Sequence, residues 1–296
     1  MNFGKLITAM VTPFNNNGDI DFSRVKSLIN HLLANGTDSL VVNGTTGESP
    51  TLSKSEKLEL IRFVVETVDN RIPVIAGTGS NNTQASIDMT KEAESLGVDA
   101  VMLVAPYYNK PSQNGMYLHF EAIANATELP VMLYNIPGRT GVNVEPETII
   151  RLSKIDNIVA VKEASGDLEA MTQIIRETDD DFFLYSGDDS ITLPVLSIGG
   201  DGVVSVSSHL YGNEMEEMID AHLDGNHQRA NQLHQWLVPK MNALFMAPNP
   251  VPVKTALNYI GVEVGSVRLP LIPLTTEEKK QLLDQLELPV DRIKVG

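Results

Sequence analysis

Eight short runs of β-branched and other apolar residues, recurring roughly every 20 to 35 residues, constrain this chain more than any other feature. In order they read LITAMVT, SLVVNG, PVIAGTG, AVMLVAP, PVMLYN, IVAVKEA, FFLYSGD and GVVSVSS. Most are continuously apolar rather than alternating, as strands covered on both faces must be. Amphipathic segments lie between them and carry helix signals. Ser53 and Glu56 form a capping box before KLELIRFVVETV, and Asn82 can cap TQASIDMTKEAESL. Gly36 and Gly97 sit where a helix must turn back into a strand. Alternation of this kind requires a parallel sheet covered by helices, and eight units predict an α/β fold of the (β/α)8 TIM-barrel type.

The expected barrel occupies residues 1–224. From residue 225 to 296 the pattern becomes helical, and this stretch is expected to form a C-terminal helical extension. HQRANQLHQWLVPKMNALF places Leu233, Trp236, Leu237, Met241 and Leu244 on one stripe. A proline-rich hinge, APNPVP, precedes a helix near VKTALNYIG, and Thr275 with Glu278 caps a last helix carrying Leu282, Leu283 and Leu286. At 296 residues the chain suits one barrel with this addition.

Composition excludes several functions. No apolar run approaches the roughly 20 residues a membrane span needs, and MNFGKLITAMVTPF lacks the layout of a signal peptide. Thirty-eight acidic against 22 basic residues give a net charge of −16, which repels nucleic acid and anionic membranes. Absence of cysteine removes thiolate nucleophiles, cysteine metal sites and disulfides, and fits a cytoplasmic location. His227 and His234 stand seven apart on a predicted helix with no carboxylate at suitable spacing, so they read as solvated helix faces.

Chemistry in such a barrel sits at the C-terminal ends of the strands. There the chain reads NGTTGES, APYYNKPS, YNIPGRTG, KEASG and SGDDS. Lys162 ends the sixth run. A terminal lysine is ordinarily a solvated strand end, but alternation puts Lys162 on the face of Ala160 and Ile158, opposite Val159 and Val161. If the valines pack against the outer helices, Lys162 points into the barrel mouth, where desolvation makes an amine nucleophile toward a carbonyl. Proton transfer then falls to hydroxyls, since no Cys and no obvious His lies on this rim. Tyr134 ends the neighbouring strand, Thr45 and Thr46 offer hydroxyls and amides to a small carboxylate, and Arg139 can hold a second carboxylate through its fork.

Together GTTGE, YYNKPSQ, YNIPGRTG and VKEASGD resemble, in order and over essentially the whole chain, the pyruvate-dependent class I aldolase and lyase family. Its branches include the dihydrodipicolinate synthases and the N-acetylneuraminate lyases. PGRTG is similar to the synthase branch, whose arginine holds a carboxylate of the aldehyde substrate. The resemblance implies that Lys162 forms an imine with pyruvate and that Tyr134, Thr45 and, from a neighbouring subunit, Tyr108 relay protons. Thr45 and Thr46 would hold the pyruvate carboxylate, Arg139 that of L-aspartate 4-semialdehyde, and Gly187 and Val204 would line the pocket through backbone groups. The implied product is (4S)-4-hydroxy-2,3,4,5-tetrahydrodipicolinate, the first committed step toward diaminopimelate and lysine, made without metal or organic cofactor. A homotetramer built as a dimer of dimers is implied, with a dimer as the smallest unit if Tyr108 crosses an interface.

Rivals are a sugar-acid aldolase or N-acetylneuraminate lyase with the same imine, a phosphate-binding barrel isomerase, and a keto-acid sensor without turnover. Arg139 argues against the first, the Asp188–Asp189 pair against the second, and the complete lysine, tyrosine and threonine set against the third. Ser49, Asn81 and Tyr107 match the site at which lysine-inhibited relatives bind lysine. Lys54 and Lys57 stand where those relatives have histidines, and Ala85 where they have a glutamate, so little or no inhibition by lysine is expected.

Overall fold

The computed structural model describes residues 3–288. All eight expected runs form strands: β1 Leu6–Ala9, β2 Ser39–Val42, β3 Val74–Gly77, β4 Ala100–Val104, β5 Val131–Asn135, β6 Ile158–Glu163, β7 Phe183–Ser186 and β8 Gly202–Ser205. They pair in sequence order, all parallel, and β1 closes on β8 through Leu6 opposite Val203, Ile7 opposite Val204 and Thr8 opposite Ser205. Closure leaves no strand edge to protect.

Side-chain alternation divides the apolar core in two. Ile7, Val41, Ile75, Met102, Met132 and Val204 fill the barrel interior. Leu6, Leu40, Val101, Leu133, Val161 and Leu184 face outward onto the helices. The helix signals act as read. Ser53 and Glu56 close a capping box on helix Lys54–Val68, and the Asn82 side chain accepts from Ala85 N at the start of Thr83–Ser95. Gly36 and Gly97 take φ of +76° and +82°, a region that favours glycine.

One part of the parity expectation fails. Ala160 and Lys162 do face inward and Val161 outward, but Val159 packs against the inner cluster and Ile158 against the outer one. The cause is a bulge: Val131 pairs with Ile158 and the next residue, Met132, with Ala160, so Val159 has no partner on β5. The extra residue reverses the alternation below it and leaves the strand end, where Lys162 sits, in the expected phase.

Beyond the barrel, helices His227–Ala243, Val251–Tyr259 and Thr276–Leu286 pack onto it. Leu233, Leu237, Met241, Leu282 and Leu286 belong to the same continuous apolar cluster as the outer strand faces. Trp236 departs from the expected buried stripe: it is 41% exposed, edge-on to Tyr211 and beneath the Lys240 amine. Tyr211 donates to the carbonyl of Leu286 at 2.6 Å, and Lys240 pairs with Glu287 at 2.7 Å. The last eight residues of the expected extension, 289–296, lie outside the described residues.

Candidate active site

Lys162 is the fifth residue of β6 and is 6% exposed. Tyr134 lies directly opposite it on β5, and the Lys162 Nζ sits 4.3 Å from the centre of the Tyr134 ring. Burial disfavours the ammonium and pushes the amine down to about 8; the carboxylate of Asp189 opposes the fall and the Arg139 guanidinium deepens it. At neutral pH such a group keeps a usable fraction of free amine. The same burial pushes the Tyr134 hydroxyl up to about 12, against the pull of Arg139 and a hydrogen bond with Thr45. Tyr134 therefore stays protonated and tied to Thr45, able to pass a proton by exchange.

The strand tops are held firmly. Glu163, beside Lys162 but on the opposite face of β6, is buried and accepts from the Asn135 amide at 3.0 Å and from Ser165 N at 2.7 Å. Burial raises its pKa. On the β7 side, Asp189 is fully enclosed. Its Oδ2 accepts from Val206 N at 3.1 Å and from both Ser207 N and Ser207 Oγ at 2.8 Å. Burial raises this carboxyl too. Gly187 gives the lysine room: a Cβ there would stand 2.6 Å from the Cβ of Ala164 and 3.1 Å from the Cε of Lys162.

A cavity of about 280 Å³ opens at this end of the barrel, walled by Thr45, Met102, Tyr107, Tyr134, Ile136 and Arg139 among others. Tyr134 links the two regions, since its ring meets Lys162 and also lines the cavity. Thus the fold brings Lys162, Tyr134, Thr45, Arg139 and Gly187 together. Val204 is buried in the barrel interior and, like Lys162 and Gly187, stands outside the cavity wall. The Thr46 hydroxyl accepts from the Asn249 amide at 2.9 Å, so its side chain faces the C-terminal segment. Tyr108 is not brought in: it is 87% exposed, with φ of +72°, an uncommon backbone for a tyrosine.

A second cavity of about 250 Å³ adjoins the first and gathers Ser49, Lys54, Lys57 and Ala85 with Asp88 and Met89. Lys54 pairs with Glu92 at 2.6 Å, and burial lowers the Lys57 amine below its usual range. Asn81 donates to the carbonyl of Tyr107 at 3.1 Å. On the C-terminal helix, His227 is exposed and its ring centre lies 5.4 Å from that of His222, while His234 is half-buried, which corrects the expectation that both are solvated. Among the described residues no helix is long and apolar enough to cross a membrane.

Several residues that shape the site escape sequence reasoning. Asp189 reads as a loop acid, and only its three donors from the β8 loop reveal it as buried. Asn249 and Lys254 lie more than 200 residues from the loop they touch.

The dihydrodipicolinate synthetase family model matches residues 2–288. The chain belongs to that family. It is 62% identical over 283 residues to the 4-hydroxy-tetrahydrodipicolinate synthase of Bacillus subtilis strain 168, an alignment covering 95% of this chain and 98% of the relative. Among solved structures, dihydrodipicolinate synthase DapA-2 of Bacillus anthracis superposes with a TM-score of 0.96 at 60% identity, covering 98% of this chain and 99% of that one. The synthase of Cyanidioschyzon merolae, solved with lysine bound, gives 0.95 at 50% identity over 96% of this chain and 97% of that one.

Proposed function

We propose that Lys162 is the imine-forming residue of a 4-hydroxy-tetrahydrodipicolinate synthase, condensing pyruvate with L-aspartate 4-semialdehyde. The observation that carries this assignment is the Lys162 amine, buried against Tyr134 and lowered to about 8, next to a cavity that also presents Thr45 and Arg139. The membership of the chain in the family, and relatives of that name at near-full coverage, support the reaction itself.

The free amine of Lys162 attacks the carbonyl carbon of pyruvate, and the carbinolamine loses water to give the imine. Thr45 and Thr46 offer their backbone amides to the pyruvate carboxylate, and Thr45 its hydroxyl as well. Tyr134, bonded to Thr45, takes and returns protons in these steps, with Tyr108 from a second subunit completing the relay. The exposure of Tyr108 supports that last role. Loss of a methyl proton gives the enamine, whose carbon forms the new bond to the aldehyde carbon while the aldehyde oxygen gains a proton. Arg139 holds the carboxylate of the aldehyde substrate at the cavity wall. The substrate's amine then attacks the imine carbon, closing the ring and expelling Lys162 as the free amine. Gly187 and Val204 flank the pocket. The product enters diaminopimelate and lysine synthesis in the cytoplasm, and the working form is a dimer or a dimer of dimers.

Turnover of the purified protein with both substrates, together with borohydride trapping of pyruvate, tests the assignment. Formation of the cyclised product, with trapping lost in Lys162→Ala, is the expected result. Trapping unchanged in that variant would place the imine elsewhere. Trapping without turnover would leave the imine correct and the aldehyde wrong.

A further inference from the structure

The loop after β2 is held from an unexpected direction. Glu48, two residues beyond Thr46, has a left-handed backbone with φ of +55°, an uncommon conformation for a residue that carries a side chain. Its side chain is 1% exposed. The Glu48 Oε1 accepts from Lys254 Nζ at 2.6 Å, and that lysine side chain is itself 2% exposed. The Oε2 accepts from Arg268 N at 2.9 Å. Lys254 also donates to the carbonyl of Ser266 at 2.8 Å and lies 4.2 Å from the centre of the Phe14 ring. A second tie runs from the Asn249 amide to the Thr46 hydroxyl. The Arg268 guanidinium donates to the carbonyls of Gly18 and Thr51 at 2.7 and 2.9 Å and pairs with Glu56. The donors of all these bonds, Asn249, Lys254 and Arg268, come from the segment between residues 249 and 268, which the chain reaches only after the barrel is complete.

We propose that this C-terminal segment positions the keto-acid-binding loop, with Lys254 and Asn249 as positioning residues acting through Glu48 and Thr46. The proposal rests on the reading of Thr45 and Thr46 as the pyruvate carboxylate site. A buried ion pair is a poor source of net stability, since both ions lose their water, but it fixes geometry because either ion alone is costly to leave buried. Here the geometry fixed is that of Glu48, and with it the spacing of the Thr45 and Thr46 amides two and three residues earlier. Loosening it would widen the carboxylate site and leave the amine at Lys162 untouched. Weakened pyruvate capture, with the extent of imine formation at saturating pyruvate preserved, is the consequence.

Trapping with borohydride at graded pyruvate concentrations reads both quantities separately: the half-saturating pyruvate concentration and the fraction of Lys162 trapped at saturation. Lys254→Met and Asn249→Ala are expected to raise the half-saturating concentration about tenfold, the order of one weakened hydrogen bond to a charged group, with saturating trapping and the KM for the aldehyde within twofold of the unmodified chain. Lys254→Arg, which keeps the charge, should recover part of the loss. Lys240→Met is the structural control, because Lys240 is equally buried in the same region but pairs with Glu287 away from the loop; its half-saturation should not move. Unchanged pyruvate half-saturation in Asn249→Ala and in Lys254→Met, or in Asn249→Ala alone should the methionine variant not fold, overturns the proposal. So does an equal rise in Lys240→Met. Failure of the unmodified chain to trap pyruvate at all would instead overturn the functional reading beneath it.

Discussion

Holding Lys162 in its reactive form should cost this protein stability, and the cost can be worked out. The amine moves from 10.5 in the unfolded chain to about 8 in the folded one, chiefly because burial disfavours the ammonium. A drop of about 2.5 units at 1.36 kcal/mol each is about 3 kcal/mol of destabilisation while the folded amine is charged. Because the folded pKa lies below the unfolded one, the unfolded chain binds more protons between about pH 8 and 10.5, and stability rises with pH across that window. Below about pH 8 the full penalty applies; above about 10.5 it is gone.

Replacing Lys162→Met removes the charge and keeps a side chain of similar length. Its sulfur can rest against the Tyr134 ring, where the Lys162 Nζ now lies 4.3 Å from the ring centre. The variant should therefore be about 3 kcal/mol more stable than the parent at pH 7, a sign opposite to that of most buried substitutions. Urea denaturation followed by circular dichroism, at equal protein concentration and without ligand, measures the gap. It should be widest at and below pH 8 and should narrow toward pH 10. A methionine variant no more stable than the parent at pH 7, or a gap that stays constant from pH 7 to 10, would refute the claim that the lysine is held desolvated.

Other outcomes follow from the same geometry. Tyr134→Phe should lower turnover by about a hundredfold or more, the usual worth of a proton-transfer group, while pyruvate is still trapped on Lys162; a loss below tenfold would remove Tyr134 from the relay. Asp189→Asn takes away the carboxylate that opposes the burial shift of Lys162, so the midpoint of trapping against pH should move to lower pH. A midpoint that moves upward contradicts the assigned electrostatics. Lysine should leave turnover little affected at low millimolar concentration, because the two amines of Lys54 and Lys57 outnumber the one carboxylate, Asp88, in the second cavity and Ala85 supplies no further one; clear inhibition in that range would sink this expectation.

The parts of the molecule legible in the sequence are those decided by neighbours close along the chain. Parallel strands covered on both faces show as unbroken apolar runs, and the caps at Ser53 and Thr275 need only residues three positions away. Lys162 belongs to this class, because its phase is set by the two residues before it. Val159 does not: nothing in IVAVKEA marks the residue that β5 will fail to pair, and the bulge exists only once two strands are aligned. Trp236 lies on the expected helical stripe yet stays 41% exposed, which no periodicity reveals. Charges are hardest to read. Asp189 and Glu48 both occupy polar loops where an acid is normally solvated, and each is buried by donors from elements that arrive later in the chain. Their burial depends on closure of β8 onto β1 and on the return of the C-terminal segment, so the fields around Lys162 and the loop after β2 are products of the completed fold. It follows that the lysine proposed to form the imine can be picked out from a short stretch of sequence, whereas the environment that lowers its amine is assembled from at least three separate parts of the chain.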